Sequence, residues 1–445
     1  MSRRAAWVVL WFAFAGWVAG RFLPGARWLL RRRAERVAEA ARRRGVKLPA
    51  LESSGRRGMI RRLLQDPEVT VAAEAYAREN GISTARAMGR VERYAREIVP
   101  AFNAFLYFRG GIPLAGRIVR ALYDVRLTSD EGLIALERVP DRGTSVVFVM
   151  NHRSNLDYVI LAHLTADRTS LTFAAGEWAR SIGPLVHAMG AFFVRRGSGN
   201  ELYRKVLERF SQMAVELGLT QVVFPEGGLS RDGRMRAPKV GLFDYVLRHF
   251  DAVRTEILYV PVAVNYDWVL EDHALLQPGG PEAGLRGRGG LAASTTVSFV
   301  RNLLRAWRGG DYHLGEAALA FGTPVSVREY QVSRGMVFRD LDREARIEEV
   351  KVLAGYLMHT IREAVPDTAL PLVARVLAEV GDGPIRKEDL FSRAEGLALG
   401  GGHLDFDAAL RTLEVRRLVQ EERGGYRSTP GAEKLLGYYA SSVYR

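Results

Sequence analysis

The sequence predicts an α/β protein. A mixed or parallel central sheet is covered by helices on both faces, with an N-terminal helical region before it and a small α+β, winged-helix-like C-terminal domain after it. Three observations carry this. Runs such as TSVVFVM (144–150) are β-branched and apolar throughout, the composition of a strand buried on both faces. Between Leu127 and about Gln331 such runs alternate with helical segments, as in a sheet covered on both sides. Beyond Pro366 the order changes to three helices, a strand pair turning at Gly424–Gly425 and a last helix.

At 445 residues and 48% hydrophobic, the chain has material for two or three domains and a sizeable core. It contains no cysteine, which excludes a disulfide framework, a thiolate zinc site and a thiol nucleophile. Acyl or phosphoryl chemistry here must use another nucleophile or transfer directly. The net charge of +14 is concentrated at the start: residues 1–62 hold 16 Lys/Arg against 3 Asp/Glu, and the remaining 383 hold 48 against 47. A uniformly basic nucleic-acid binder would not be divided in this way, so no nucleic-acid partner is expected.

In chain order, residues 5–20 (AAWVVLWFAFAGWVAG) are uncharged and carry three of the seven tryptophans, and 1–30 are read as an apolar membrane-anchor segment. Sixteen uncharged residues fall short of the roughly 20 that span a bilayer, so an interfacial helix and a cleaved signal peptide stand beside the short anchor. The Arg-rich sequence that follows argues against cleavage and export, and Pro24–Gly25 is expected to end the helix. Residues 31–65 are an Arg-rich juxtamembrane linker, either a solvated helix or a polybasic segment on anionic lipid. Residues 66–126 form a helical subdomain, 127–365 the catalytic domain and 366–445 the winged-helix-like domain. Strands are expected at 144–150, 171–175, 191–195, 220–224, 257–266 and 316–328, and helices at 154–165, 178–189, 200–217, 239–250 and 340–365. The Gly-rich stretch 277–294 reads as a loop. No GxxxxGK[ST], GxSxG or HExxH occurs, so a P-loop NTPase, a serine-hydrolase elbow and a zincin have no support.

Four pieces each follow an expected strand and can meet at one edge of the sheet: NHRSNLDY (151–158), GAFFVRR (190–196), FPEGGLSRDGR (224–234) and VPVAVNYDWVLED (260–272). Singly each has a plain structural explanation, such as a satisfied loop histidine, a solvated strand end or a tight turn. Together they are chemically coherent. His152 lies on a strand-to-helix turn with Ser154 placed to cap the helix, and Asp157 in the first helical turn can hold the imidazole in one tautomer as a general base. Arg195, Arg196, Arg231 and Arg234 supply fork-shaped donors for a phosphate. Gly227 and Gly228 permit close backbone approach with N–H groups for an oxyanion, and Glu226 can orient substrate or brace the loop.

These four pieces resemble the motifs of the glycerophospholipid acyltransferase superfamily, whose first motif is His-x4-Asp. HRSNLDY, GAFFVRR with LYRKVL after it, PEGGLSRDGR and VPVAVNYDWVLED are similar to the branch of glycerol-3-phosphate and dihydroxyacetone-phosphate acyltransferases over roughly residues 100–360. The resemblance implies that His152, held by Asp157, deprotonates the sn-1 hydroxyl of glycerol 3-phosphate, which attacks the thioester of an acyl-CoA or acyl-carrier protein. No acyl-enzyme and no further cofactor is then required. It implies that Arg195, Ser230 and Arg231 hold the phosphate, with Arg153, Ser154, Arg196 and Arg234 beside them. Glu226 and Gly227 match the Glu-Gly of the third motif, and Pro261 the fourth, which shapes the acyl site. The third motif of this branch commonly reads EGGRSRTGR; Leu229 replaces its first Arg and removes a possible phosphate contact. The N-terminal region is much shorter than in the long bacterial enzymes. The implied setting is the cytoplasmic face of a membrane, with the lipid surface, glycerol 3-phosphate and the acyl donor as partners. Lysophosphatidate or dihydroxyacetone phosphate as acceptor is the nearest alternative, and a non-catalytic membrane-tethered protein that binds nucleic acid or a partner is the alternative of another class.

Overall fold

A computed structural model describes residues 24–48, 51–137, 143–175, 183–195, 199–276, 313–381, 383–399, 404–422 and 424–444. The apolar stretch 5–20, Arg196 and the Gly-rich stretch 277–294 lie outside them. Ten strands are described: β1 (Asp124–Ser129), β2 (Thr144–Met150), β3 (Thr172–Ala175), β4 (Ala191–Phe193), β5 (Gln221–Val223), β6 (Glu256–Tyr266), β7 (Glu316–Phe321), β8 (Val325–Ser326), β9 (Val419–Glu422) and β10 (Gly425–Ser428). The single strand expected over 316–328 is two, because Gly322 breaks the run and Ser326 caps a helix, Val327–Arg334, by accepting from the Glu329 N–H at 3.1 Å. The chain divides into two compact units, residues 1–117 with 162–220, and residues 118–161 with 221–445.

The first unit is mostly helical. Pro24 opens a helix (Pro24–Arg43), a first-turn position where the missing N–H costs nothing; the apolar helix it was expected to end lies outside the described residues. The Arg-rich linker is thus helical, and a second helix, Leu51–Leu64, is kinked at Gly55. Among the described residues no helix is long and apolar enough to cross a membrane. Asp66 shows why the next helix starts at Pro67. One carboxylate oxygen accepts from the Glu68 and Val69 N–H groups at 3.1 and 3.2 Å, and the other takes the Arg209 guanidinium at 2.8 Å. This cap ties Pro67–Glu79 to Glu201–Glu216, whose apolar face (Leu202, Val206, Phe210, Met213) is buried. The helix Thr84–Ile98 packs on both. Strands β3 and β4 pair in parallel, with Ala175, Ala191 and Phe193 forming a buried cluster on which Phe173 and Val186 rest.

The second unit holds mixed-sheet strands in the order β1-β7-β6-β2-β5 with β8 on the first half of β6. β6–β2, β2–β5 and β1–β7 are parallel, whereas β6–β7 and β6–β8 are antiparallel. Six consecutive residues of β2, Ser145–Met150, are buried, as are Tyr259–Tyr266 of β6; burial without alternation means both faces are covered. Gly132, in the helix Glu131–Glu137, is required by this packing: a Cβ there would stand 2.6 Å from Val260 Cγ1 and 2.7 Å from the Gly322 carbonyl. The helix expected over 154–165 begins later, at Asp157, and the one over 340–365 spans Arg343–Glu363. The C-terminal order is as read: helices Ala369–Val380, Lys387–Leu397 and Phe406–Val415, the antiparallel β9–β10 hairpin turning at Gly424 (φ 78°), and the helix Glu433–Ala440. Ile385 adds a single antiparallel bridge to Tyr426 of β10.

Candidate active site

β2 ends at Met150, and Asn151 prolongs its pairing with β6 by side chain: Nδ2 donates to the Val264 carbonyl at 3.0 Å and Oδ1 accepts the Val264 N–H at 2.8 Å. The chain then turns sharply, placing His152 just beyond the strand. Its backbone is held on both sides by the loop after β5. The His152 N–H donates to Glu226 Oε1 at 2.9 Å, and its carbonyl accepts the Ser230 N–H at 2.9 Å. The imidazole stacks on the Phe224 ring (centroids 4.1 Å apart, planes at 24°) and remains 15% exposed. Nδ1 lies 2.9 Å from Asp157 Oδ2, so the expected acid–imidazole pair is present.

Asp157 is fully buried and opens the helix Asp157–Thr165. Besides the imidazole, its Oδ2 accepts the backbone N–H groups of Arg153 at 2.7 Å and Ser154 at 3.0 Å. Oδ1 accepts the Tyr266 hydroxyl at 2.6 Å. A buried charge must be paired and hydrogen-bonded to be tolerated, and this carboxylate has four donors on it. Ser154 was expected to cap the helix. Its Oγ instead accepts the Leu156 N–H at 3.1 Å within the preceding turn and donates to Glu271 Oε2 at 2.8 Å. Glu271 Oε1 also receives the Asn155 N–H and amide at 3.0 and 2.9 Å. Burial pushes the Glu271 carboxyl up to about 6, against those donors.

The third piece forms a loop on the same edge. Glu226 is buried, and its second oxygen accepts the Arg236 N–H at 3.0 Å, so it braces the loop. Burial raises its carboxyl above the ordinary range, opposed by the two backbone N–H groups. Gly227 sits at φ 67°, left-handed backbone that only glycine adopts cheaply, and its N–H donates to the Phe224 carbonyl at 3.0 Å. That N–H is thus engaged within the turn, whereas the sequence had it available for an oxyanion. Gly228 is buried beside it. Ser230 is buried, with Oγ donating to the Arg234 carbonyl at 2.8 Å. Arg231 is half-buried and Arg234 exposed.

Arg153, grouped above with the phosphate-gripping side chains, is 2% exposed and runs inward. Its Nη1 donates to the Gly233 carbonyl at 2.6 Å, and the guanidinium lies 5.0 Å from the centre of the Tyr438 ring. Pro261 is buried in β6 opposite Val149 of β2, and its carbonyl accepts the Gly322 N–H at 2.9 Å.

Arg195 belongs to the first unit. Its Nε and Nη2 meet the two Glu97 oxygens at 2.8 and 2.6 Å, and Tyr94 and Tyr203 flank it at 5.2 and 5.1 Å. This bidentate pair raises the guanidinium further above its already high range. The structure therefore brings together His152, Asp157, Glu226, Gly227 and Ser230, with the Arg231–Arg234 segment on the same loop. Sequence reasoning missed Tyr266, Glu271, Phe224 and Glu97. For Tyr266 a signal existed: a tyrosine at the end of an apolar strand is buried with a hydroxyl that must find a partner.

Residues 133–265 match the family model described as Acyltransferase. A glycerol-3-phosphate acyltransferase of Ectopseudomonas mendocina (strain ymp) is 30% identical over 358 residues, covering 73% of this chain and 41% of that protein. Those of Pseudomonas fluorescens (strain Pf0-1) and Pseudomonas aeruginosa (strain LESB58) are 30% and 29% identical, each over 73% of this chain and 40% of the relative. The chain thus spans about two fifths of the length of these curated relatives. Among solved structures, the crystal structure of the 1-acyl-sn-glycerophosphate (LPA) acyltransferase, PlsC, from Thermotoga maritima is 18% identical and covers 57% of this chain and 77% of its own, at a TM-score of 0.34.

Proposed function

We propose that this chain, a member of the acyltransferase superfamily alongside its glycerol-3-phosphate acyltransferase relatives, transfers a fatty acyl group from a thioester donor to the sn-1 hydroxyl of glycerol 3-phosphate. The observation that carries this reading is the imidazole–carboxylate pair, His152 Nδ1 to Asp157 Oδ2 at 2.9 Å, on a turn clamped by Glu226. With Nδ1 turned to the carboxylate, Nε2 is the atom that takes the hydroxyl proton. The alkoxide oxygen attacks the thioester carbonyl, the carbon–sulfur bond breaks, and the leaving thiolate recovers the proton from Nε2. The imidazolium that forms in between is stabilised by Asp157, whose own position is fixed by three further donors. Direct transfer of this kind needs no thiol nucleophile, in keeping with a chain that has no cysteine.

Arg231 and Arg234 lie on the loop that holds His152, and we assign the acceptor phosphate to them; the family motif adds Arg195, whose part its own substitution tests. The acyl donor is an acyl-CoA or acyl-carrier protein, and no other cofactor enters. The Arg-rich helices over 24–64 favour an anionic lipid surface on the cytoplasmic side, where the acyl product would remain. Incubation of the purified protein with labelled acyl-CoA and a panel of glycerol 3-phosphate, dihydroxyacetone phosphate and lysophosphatidate, with products identified by mass, tests the assignment. 1-Acylglycerol 3-phosphate is the expected product. Product from another acceptor alone replaces the acceptor, and no acyl transfer to any of them overturns the reading.

A further inference from the structure

Tyr266 and Glu271 lie at and just beyond the end of β6, and neither takes or gives a proton in the transfer described above. Both nevertheless bear on the turn that carries His152. The Tyr266 hydroxyl reaches Asp157 Oδ1 at 2.6 Å, the oxygen on the far side of the carboxylate from the imidazole. Tyr266 is fully buried, so its hydroxyl stays protonated and donates. Its direction is set by the tyrosine's own frame: the ring packs 5.3 Å from Tyr123, and its N–H donates to Asn265 Oδ1 at 3.0 Å. A carboxylate held only through Oδ2 can pivot about Cβ–Cγ; one held at both oxygens cannot. Glu271, meanwhile, accepts from Ser154 Oγ, Asn155 N and Asn155 Nδ2 at 2.8–3.0 Å, gripping the residues between His152 and Asp157.

We propose that Tyr266 is a positioning residue of the acyl transfer: its hydroxyl fixes the Asp157 carboxylate, which in turn fixes the His152 ring, while Glu271 holds the intervening turn. The proposal rests on the reading of His152 as the general base. It gives the end of β6 and the residues just beyond it a task distinct from shaping the acyl site, namely holding the catalytic pair in register.

The test is steady-state kinetics on the full chain with a radiolabelled acyl donor, comparing wild type, Tyr266→Phe, Asp157→Ala and the double variant, each with a thermal melt. Tyr266→Phe keeps the ring and removes one hydrogen bond to a charged group. It should lower kcat by roughly 10-fold while leaving the acceptor KM unchanged. In the Asp157→Ala background the same change should cost nothing more, because the group it acts through is gone. Placing 4-aminophenylalanine at 266 restores a donor and should recover most of the rate. If Tyr266→Phe melts below the assay temperature, 4-fluorophenylalanine at 266 fills the hydroxyl's volume without donating and is judged by the same outcomes. Wild-type kcat in the donorless variant overturns the proposal, and so does a loss that persists undiminished without Asp157. A fully active His152→Ala enzyme, measured alongside, would instead overturn the general-base reading itself.

Discussion

The Arg153 guanidinium packs 5.0 Å from the centre of the Tyr438 ring, joining the turn after β2 to the C-terminal helix. The Gly233 carbonyl lies between them, accepting from Arg153 Nη1 at 2.6 Å and from the Tyr444 hydroxyl at 3.0 Å. A Cβ on Gly233 would fall 1.8 Å from the Tyr438 carbonyl oxygen, so the loop and helix touch backbone to backbone. The C-terminal segment is therefore part of the framework of the site. Arg153→Met should lower stability by about 2 kcal/mol, from a desolvated cation–π contact and a lost hydrogen bond. Thermal melts check this. The acceptor KM of the folded fraction should hold; a raised KM with an unchanged melt would return Arg153 to the phosphate.

His152→Ala should reduce kcat by roughly 10²–10⁴-fold, the usual contribution of a general base, without a matching loss of stability. The ring stacks on Phe224, and the backbone of the turn is held independently by Glu226 and Ser230. Circular dichroism and a melt alongside the kinetics separate the two effects. A folded, fully active variant would remove His152 from the mechanism.

Arg195 is bound to Glu97, and the two changes should differ. Arg195→Ala should raise the acceptor KM and also destabilise the fold by about 1–3 kcal/mol, since Glu97 is only 12% exposed and loses a bidentate partner. Glu97→Gln should carry part of the stability loss with little change in KM. Equal effects on KM from both would mean that Arg195 acts through the pair and does not contact phosphate.

Glu271 predicts opposite pH slopes for stability and activity. Its carboxyl is raised to about 6 from the ordinary 4.5, so between those values the folded state keeps a proton that the unfolded state releases. Stability should fall as pH rises through this window, by up to about 2 kcal/mol, while activity rises as the ionised form accepts its three donors. Glu271→Gln should flatten the stability slope by that amount in urea melts taken from pH 4.5 to 7. Asp267, also raised to about 6, remains in both proteins and drops out of the difference.

The strand-to-helix turn with His152 and Asp157 was legible because it is local: five residues, an apolar strand before them and an apolar helix after. What was illegible depends on partners far along the chain. Ser154 is an ordinary capping residue by sequence, yet Glu271, 117 residues on, takes its hydroxyl, and the helix starts three residues later. Arg153 and Arg195 read alike as cations beside a motif. One is buried against Tyr438 and the other is bound by Glu97 across 98 residues, and nothing in their neighbouring sequence distinguishes them. Gly227 read as a glycine for close backbone approach, while the fate of its N–H depended on where the Phe224 carbonyl pointed. The run over 316–328 reads as one strand because nothing local shows that Ser326 caps a helix.

The residues that clamp the His152 turn, Glu226, Tyr266 and Glu271, stand 74, 109 and 117 positions from the groups they hold. Contacts of such long range close late when a chain refolds, because each must first meet the entropy of a large loop. Helical signal should therefore return well ahead of turnover after dilution from denaturant, and the lag between them would time the closing of β6 onto β2.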